Sequence, residues 1–146
     1  MVGMLIVSHG TLSEAFLDTL EMIMGKQENA CALSLDYGTD AEAFRRSVAE
    51  KADELDQGDG IIVFADLFGG TPSNSVIACM REKHFTAFAG VNLPMLIECA
   101  ASREDMSLAE LVDCLEKAGE NGIINIWKVF MEKGGAHGGN EIQSRQ

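Results

Sequence analysis

The sequence predicts an α/β domain: a doubly wound, mainly parallel sheet with helices on both faces. Three observations point to it. Short apolar runs alternate with stretches of helical period along residues 1–130. The run Ile61-Ile62-Val63-Phe64-Ala65 is apolar throughout, as a strand covered on both faces requires. Turns punctuate the alternation, and 15 glycines against 2 prolines suit tight turns between regular elements.

The first strand is expected at Met4–Val7, a buried run closed by Ser8-His9-Gly10. A helix over Ser13–Met24 follows, with Ser13 as its candidate N-cap and Phe16, Leu20, Ile23 and Met24 on one face. The second strand spans Ala30–Leu35, where Cys31, Leu33 and Leu35 alternate. Thr39-Asp40-Ala41-Glu42 has capping-box spacing, and the helix behind it places Phe44, Val48, Ala52 and Leu55 on one stripe. The central strand, Ile61–Ala65, runs into Asp66-Leu67-Phe68-Gly69-Gly70-Thr71-Pro72-Ser73-Asn74. Thr71 is expected to cap the next helix, with Pro72 at its first position, where a missing N–H costs nothing. That helix is expected to reach Lys83.

A fourth strand is expected at Phe85–Ala89 and a helix from Met95 to Ala101. Ser107-Leu108-Ala109-Glu110 forms a second capping box, ahead of a helix with Leu111, Leu115 and Ala118 on its apolar face. Gly122–Phe130 is expected as a last strand. It is more polar than Ile61–Ala65, which suits a sheet edge or a strand exchanged or paired in a dimer. Residues 1–130 make one domain, and 131–146 are a flexible, Gly-rich C-terminal tail or the stump of a linker.

Charge narrows the function. Lys and Arg number 11 against 23 Asp and Glu, for a formal net charge of -12. Such a chain repels nucleic acid and anionic membranes and suits a basic protein partner. No run approaches the ~20 apolar residues of a membrane span. The N-terminus lacks the basic flank of a signal peptide, so a cytoplasmic location is expected. Cys31, Cys79, Cys99 and Cys114 form no CxxC pair and read as small hydrophobes, with neither a disulfide framework nor a zinc site.

In a doubly wound sheet, ligands sit beyond the carboxyl ends of the strands. His9, Asp36, Asp66 and Asn92 all fall there. His9 is suited to nucleophilic or acid–base work, or it is a loop histidine bonded to a carbonyl. Asp66 could fix the tautomer of an imidazole, or it could cap a turn. Gly69-Gly70-Thr71-Pro72 leads into a helix N-terminus, whose free amides and dipole attract phosphate. Neither a Walker loop nor a GxGxxG fingerprint occurs, so nucleotide chemistry lacks its usual parts. A metal at His9, Asp36 and Asp66 lacks a second histidine at useful spacing, and none is expected. His84 and His137 carry no such context.

Three segments together resemble the mannose-family EIIA domain of the bacterial phosphoenolpyruvate-dependent sugar phosphotransferase system. They are Leu5-Ile6-Val7-Ser8-His9-Gly10, Phe64 through Asn74, and Gly90-Val91-Asn92-Leu93-Pro94-Met95-Leu96. The resemblance implies a phosphohistidine relay that needs no cofactor. HPr would phosphorylate His9, and His9 would pass the group to an EIIB component, serving membrane EIIC and EIID components indirectly. It makes Asp66 the supporting carboxylate and Gly69, Gly70 and Thr71 the phosphate-binding residues. It implies a homodimer that exchanges its last strand; the tail resembles the start of the linker that joins EIIA to EIIB in some members, and as the sequence stops there an EIIB on a separate chain is expected. Ser73 stands where many members carry a bulkier residue, read as rim variation without chemical consequence. The alternative is a regulatory binding protein of the same fold that uses phosphorylation as a signal. A small hydrolase built on His9 and Asp66 lacks a serine or cysteine triad.

Overall fold

The computed structural model describes residues 1–134; His137 and most of the expected tail, 135–146, lie outside the described residues. The elements are β1 (Gly3–His9), α1 (Leu12–Met24), β2 (Ala30–Leu35), α2 (Ala41–Leu55), β3 (Ile61–Ala65), α3 (Thr71–Cys79), β4 (Thr86–Ala89), α4 (Leu93–Ser102), α5 (Leu108–Asn121) and α6 (Ile126–Gly134). The strands form one sheet in the order β2-β1-β3-β4. Every pairing is parallel, with Val7 opposite Leu33 on one side and Ala65 on the other.

Period-two alternation within the strands separates two cores. Met4, Ile6 and Phe64 pack toward Leu20, Leu96 and Leu111 of α1, α4 and α5. Leu5, Val7 and Val63 pack toward Phe44, Val48 and Val76 of α2 and α3. Both faces of β1 and β3 are therefore covered, which is why these strands are apolar almost without interruption.

The helix starts depend on side-chain hydrogen bonds, and here several expectations need correction. Thr11, not Ser13, occupies the N-cap position of α1. Ser13 is buried, and its hydroxyl donates to the Leu33 carbonyl at 2.9 Å, tying α1 to β2. Asp40, not Thr39, caps α2 by accepting the Ala43 amide at 2.9 Å. Gly70, not Thr71, is the N-cap of α3, and α3 ends at Cys79, short of Lys83. The capping box of α5 forms as expected, with the Ser107 amide donating to Glu110 at 2.9 Å.

The expected last strand is not formed. Ile126–Gly134 is helix α6, and β4 stands at the sheet edge among the described residues. Ile126, Val129 and Phe130 recur at helical spacing, and Trp127 packs on Phe130 with ring centroids 5.7 Å apart. Asn125 starts the helix by accepting the Lys128 amide at 3.0 Å. None of the residues of α6 is buried. All four cysteines are free thiols, and burial pushes the Cys99 thiol up to about 12. No helix of the described residues is long and apolar enough to cross a membrane.

Candidate functional site

β1 and β3 lie side by side although β2 and α2 separate them in the chain. The winding reverses at this point, and the crevice beyond the strand ends is where such sheets bind ligands. His9 is the last residue of β1, and Asp66 directly follows β3. The register that sets Val7 against Ala65 brings them together. The Asp66 amide donates to the Val7 carbonyl at 3.2 Å, fixing the backbone from which its side chain turns back.

The Asp66 carboxylate accepts from the His9 amide at 2.9 Å and from the Leu67 amide at 2.9 Å, and its Oδ2 lies 2.7 Å from His9 Nδ1. Its side chain is 7% exposed, whereas that of His9 is 47% exposed. Burial pushes the Asp66 carboxyl up, but the His9 amide, the His9 ring and the Leu67 amide outweigh it. The net direction is below the ordinary carboxylate range. An ionised carboxylate only accepts hydrogen bonds. Nδ1 therefore carries a proton, and in the neutral imidazole the lone pair is left on Nε2.

The opposite edge of the ring meets the start of α3. An ideal Cβ on Gly70 would lie 2.6 Å from His9 Cε1 and 3.0 Å from Nε2, so glycine is the residue the ring permits there. Gly69 has φ +97°, which L side chains rarely adopt. The Gly70 and Thr71 amides precede the first intrahelical bond, Asn74 N–H to Gly70 C=O at 2.9 Å. They lie at the positive end of the helix dipole. Thr71 and His9 share an open cleft of about 750 Å³ with Asp36 and Tyr37.

The expected residues divide accordingly. His9, Asp66, Gly70 and Thr71 converge. Gly69 is in the same turn, but its amide donates to the Ser73 hydroxyl at 2.9 Å. Asp36 lines the cleft wall. Asn92 is a structural residue: it accepts the Met95 amide at 3.0 Å and donates to the Gly119 carbonyl at 2.8 Å, fastening α4 to α5. His84 is exposed, ahead of β4. Among the described residues no cluster of His, Cys, Asp or Glu could hold a metal ion. Two residues to which the sequence assigns no chemical role also lie here. Tyr37 stands fully exposed at the cleft, and Ser73 is buried behind the turn. Ser73 lies three residues past a glycine N-cap, a spacing that signals a side chain reaching back.

The EIIA-man family, described as "PTS system fructose IIA component", matches residues 3–116. The chain belongs to the EIIA-man family. It is 33% identical over 124 residues to the PTS system mannose-specific EIIAB component of Escherichia coli K12, an alignment covering 84% of this chain and 38% of that protein. The chain thus spans well under half the length of that relative. It is 27% identical over 117 residues to the PTS system fructose-specific EIIA component of Bacillus subtilis, covering 80% of each. The crystal structure of phosphotransferase system component EIIA from Streptococcus agalactiae superposes with a TM-score of 0.81 at 30% identity. That match covers 88% of this chain and 99% of the other. The parallel four-stranded sheet with helices on both faces is therefore the fold of an EIIA-man protein.

Proposed function

We propose that this EIIA-man protein is a cytoplasmic phosphoryl relay of a sugar phosphotransferase system. His9 accepts phosphate from phospho-HPr and passes it to an EIIB component, coupling sugar uptake and phosphorylation through EIIC and EIID in the membrane. One observation carries the proposal: Asp66 holds Nδ1 at 2.7 Å while the Nε2 side of an exposed ring faces a helix N-terminus.

The chemistry follows from that arrangement. The Nε2 lone pair attacks phosphorus as the bond from phosphorus to the donor's imidazole nitrogen breaks, and the electron pair of that bond returns to the donor ring. The His9 ring gains positive charge, which the Asp66 carboxylate offsets through the retained Nδ1–H. The Gly70 and Thr71 amides and the Thr71 hydroxyl receive the transferred oxygens. The net charge of -12 favours carriers that present positive charge around the reacting group. A homodimer, as the resemblance implies, would bury the exposed Ile126, Trp127 and Phe130 of α6.

The test is the second half of the relay. Protein phosphorylated with labelled phospho-HPr is isolated and mixed with the EIIB component. Label appearing on EIIB supports the proposal. Label that stays on His9 until it hydrolyses contradicts relay and favours a regulatory binding protein.

A further inference from the structure

We infer that Ser73 is a positioning residue for phosphoryl transfer: its hydroxyl clamps the Gly69–Gly70 turn against the His9 ring and decides which donors face Nε2. The inference rests on the relay function proposed above. It begins with a conflict at the start of α3. The His9 ring excludes any side chain at Gly70, because a Cβ there would lie 2.6 Å from Cε1. Gly70 is also the N-cap, the position from which a side chain normally satisfies the first helical amides, and α3 has no such cap bond. Fit to the imidazole has displaced the ordinary cap.

Ser73 supplies a substitute from inside the helix. It is 3% exposed. Its hydroxyl accepts the Gly69 N–H at 2.9 Å and donates to the Gly70 carbonyl at 3.1 Å. This resembles the reach-back half of a capping box, made by a hydroxyl. The same carbonyl accepts the Asn74 amide at 2.9 Å, so Gly70 is held twice. Gly69, at φ +97°, is the backbone link least restrained by its own chemistry, and Ser73 restrains it. A chain of contacts thus runs from Ser73 through Gly70 to the ring and on to Asp66.

The clamp also selects donors. With its N–H engaged by Ser73, Gly69 is not a phosphate ligand; that role falls to the Gly70 and Thr71 amides and the Thr71 hydroxyl. The residue read from sequence as inert rim variation therefore shapes the site.

Ser73→Ala and Ser73→Thr test this beside the unaltered protein, using single-turnover transfer from labelled phospho-HPr over a range of HPr concentrations. Amide exchange at Gly69 is followed by NMR. In Ser73→Ala the maximal transfer rate is expected to fall about tenfold, as mispositioning of a reacting group does, with KM for phospho-HPr unchanged and Gly69 protection lost. Ser73→Thr keeps the hydroxyl and is expected to restore most of the rate. Should Ser73→Ala not fold, Ser73→Cys retains the volume with a weaker donor and acceptor and carries the same expectation. An unchanged rate in Ser73→Ala, or an equal loss in the Ala and Thr variants, overturns the positioning role. Failure of the unaltered protein to take label defeats the relay function itself.

Discussion

Gly70→Ala tests the packing of the His9 ring directly. The added Cβ would lie 2.6 Å from Cε1 and 3.0 Å from Nε2. Carbon atoms settle at about 3.5–4.0 Å, so the ring must yield roughly an ångström. The backbone need not, because Gly70 has φ −91° and ψ 173°, an extended conformation open to alanine. The strain falls on the contact between Nδ1 and Asp66, now 2.7 Å. A hydrogen bond to a charged group contributes about 1.5–3 kcal/mol. Its loss from the transition state corresponds to roughly a 10- to 100-fold slower transfer. The fold should lose only about 1 kcal/mol, the order of a weakened cap. Rapid-quench transfer from labelled phospho-HPr gives the rate, and the Nδ1 proton resonance reports the hydrogen bond. A rate within about twofold of the unaltered protein, with that resonance unmoved, would refute the packing argument.

Asp66→Asn removes the charge that offsets the phosphorylated ring and fixes its tautomer. Transfer should slow by about 10²-fold or more with the circular dichroism spectrum unchanged; normal rates would refute the orienting role. The depressed Asp66 pKa also gives a pH signature. Its contribution to stability is complete above the unfolded value near ~4 and is lost as pH falls through the lower folded value. Urea unfolding of the two proteins should therefore diverge at pH 6 and converge at the acid end, and a constant difference would contradict the linkage. Asp40→Ala removes the α2 cap bond to the Ala43 amide and should cost about 1 kcal/mol by urea unfolding, with transfer unaffected.

Much of this was legible in the sequence, for identifiable reasons. The central strands β1 and β3 announce themselves because two covered faces demand nearly uninterrupted apolar runs, as in Ile61–Ala65, whereas the half-buried edge strand β2 shows only the alternation of Cys31, Leu33 and Leu35. His9 and Asp66 were legible because each stands at the carboxyl end of such a run. The residues alone placed them only at a common sheet end, and the family resemblance supplied their pairing, because they lie 57 residues apart and meet through the parallel pairing of β1 with β3. Caps were misplaced by a residue or two where neighbouring polar groups compete. Thr39 and Asp40 adjoin, and the Ser13 hydroxyl found a partner on β2 instead of its own helix. Gly122–Phe130 carries apolar residues at both odd and even positions, so alternation was a weak guide. The helical spacing of Ile126, Val129 and Phe130 prevailed. Ser73 stayed silent because its role depends on the His9 ring denying Gly70 a side chain, a constraint that exists only after folding.

The central claim is that His9 carries the phosphoryl group. Intact mass measured after incubation with phosphoenolpyruvate, enzyme I and HPr tests it most directly, with His9→Ala in parallel. The expected result is one acid-labile phosphoryl group on the unaltered protein and none on the variant. Folded protein that gains no phosphate from a cognate HPr, or a His9→Ala variant that still gains it, would contradict the assignment.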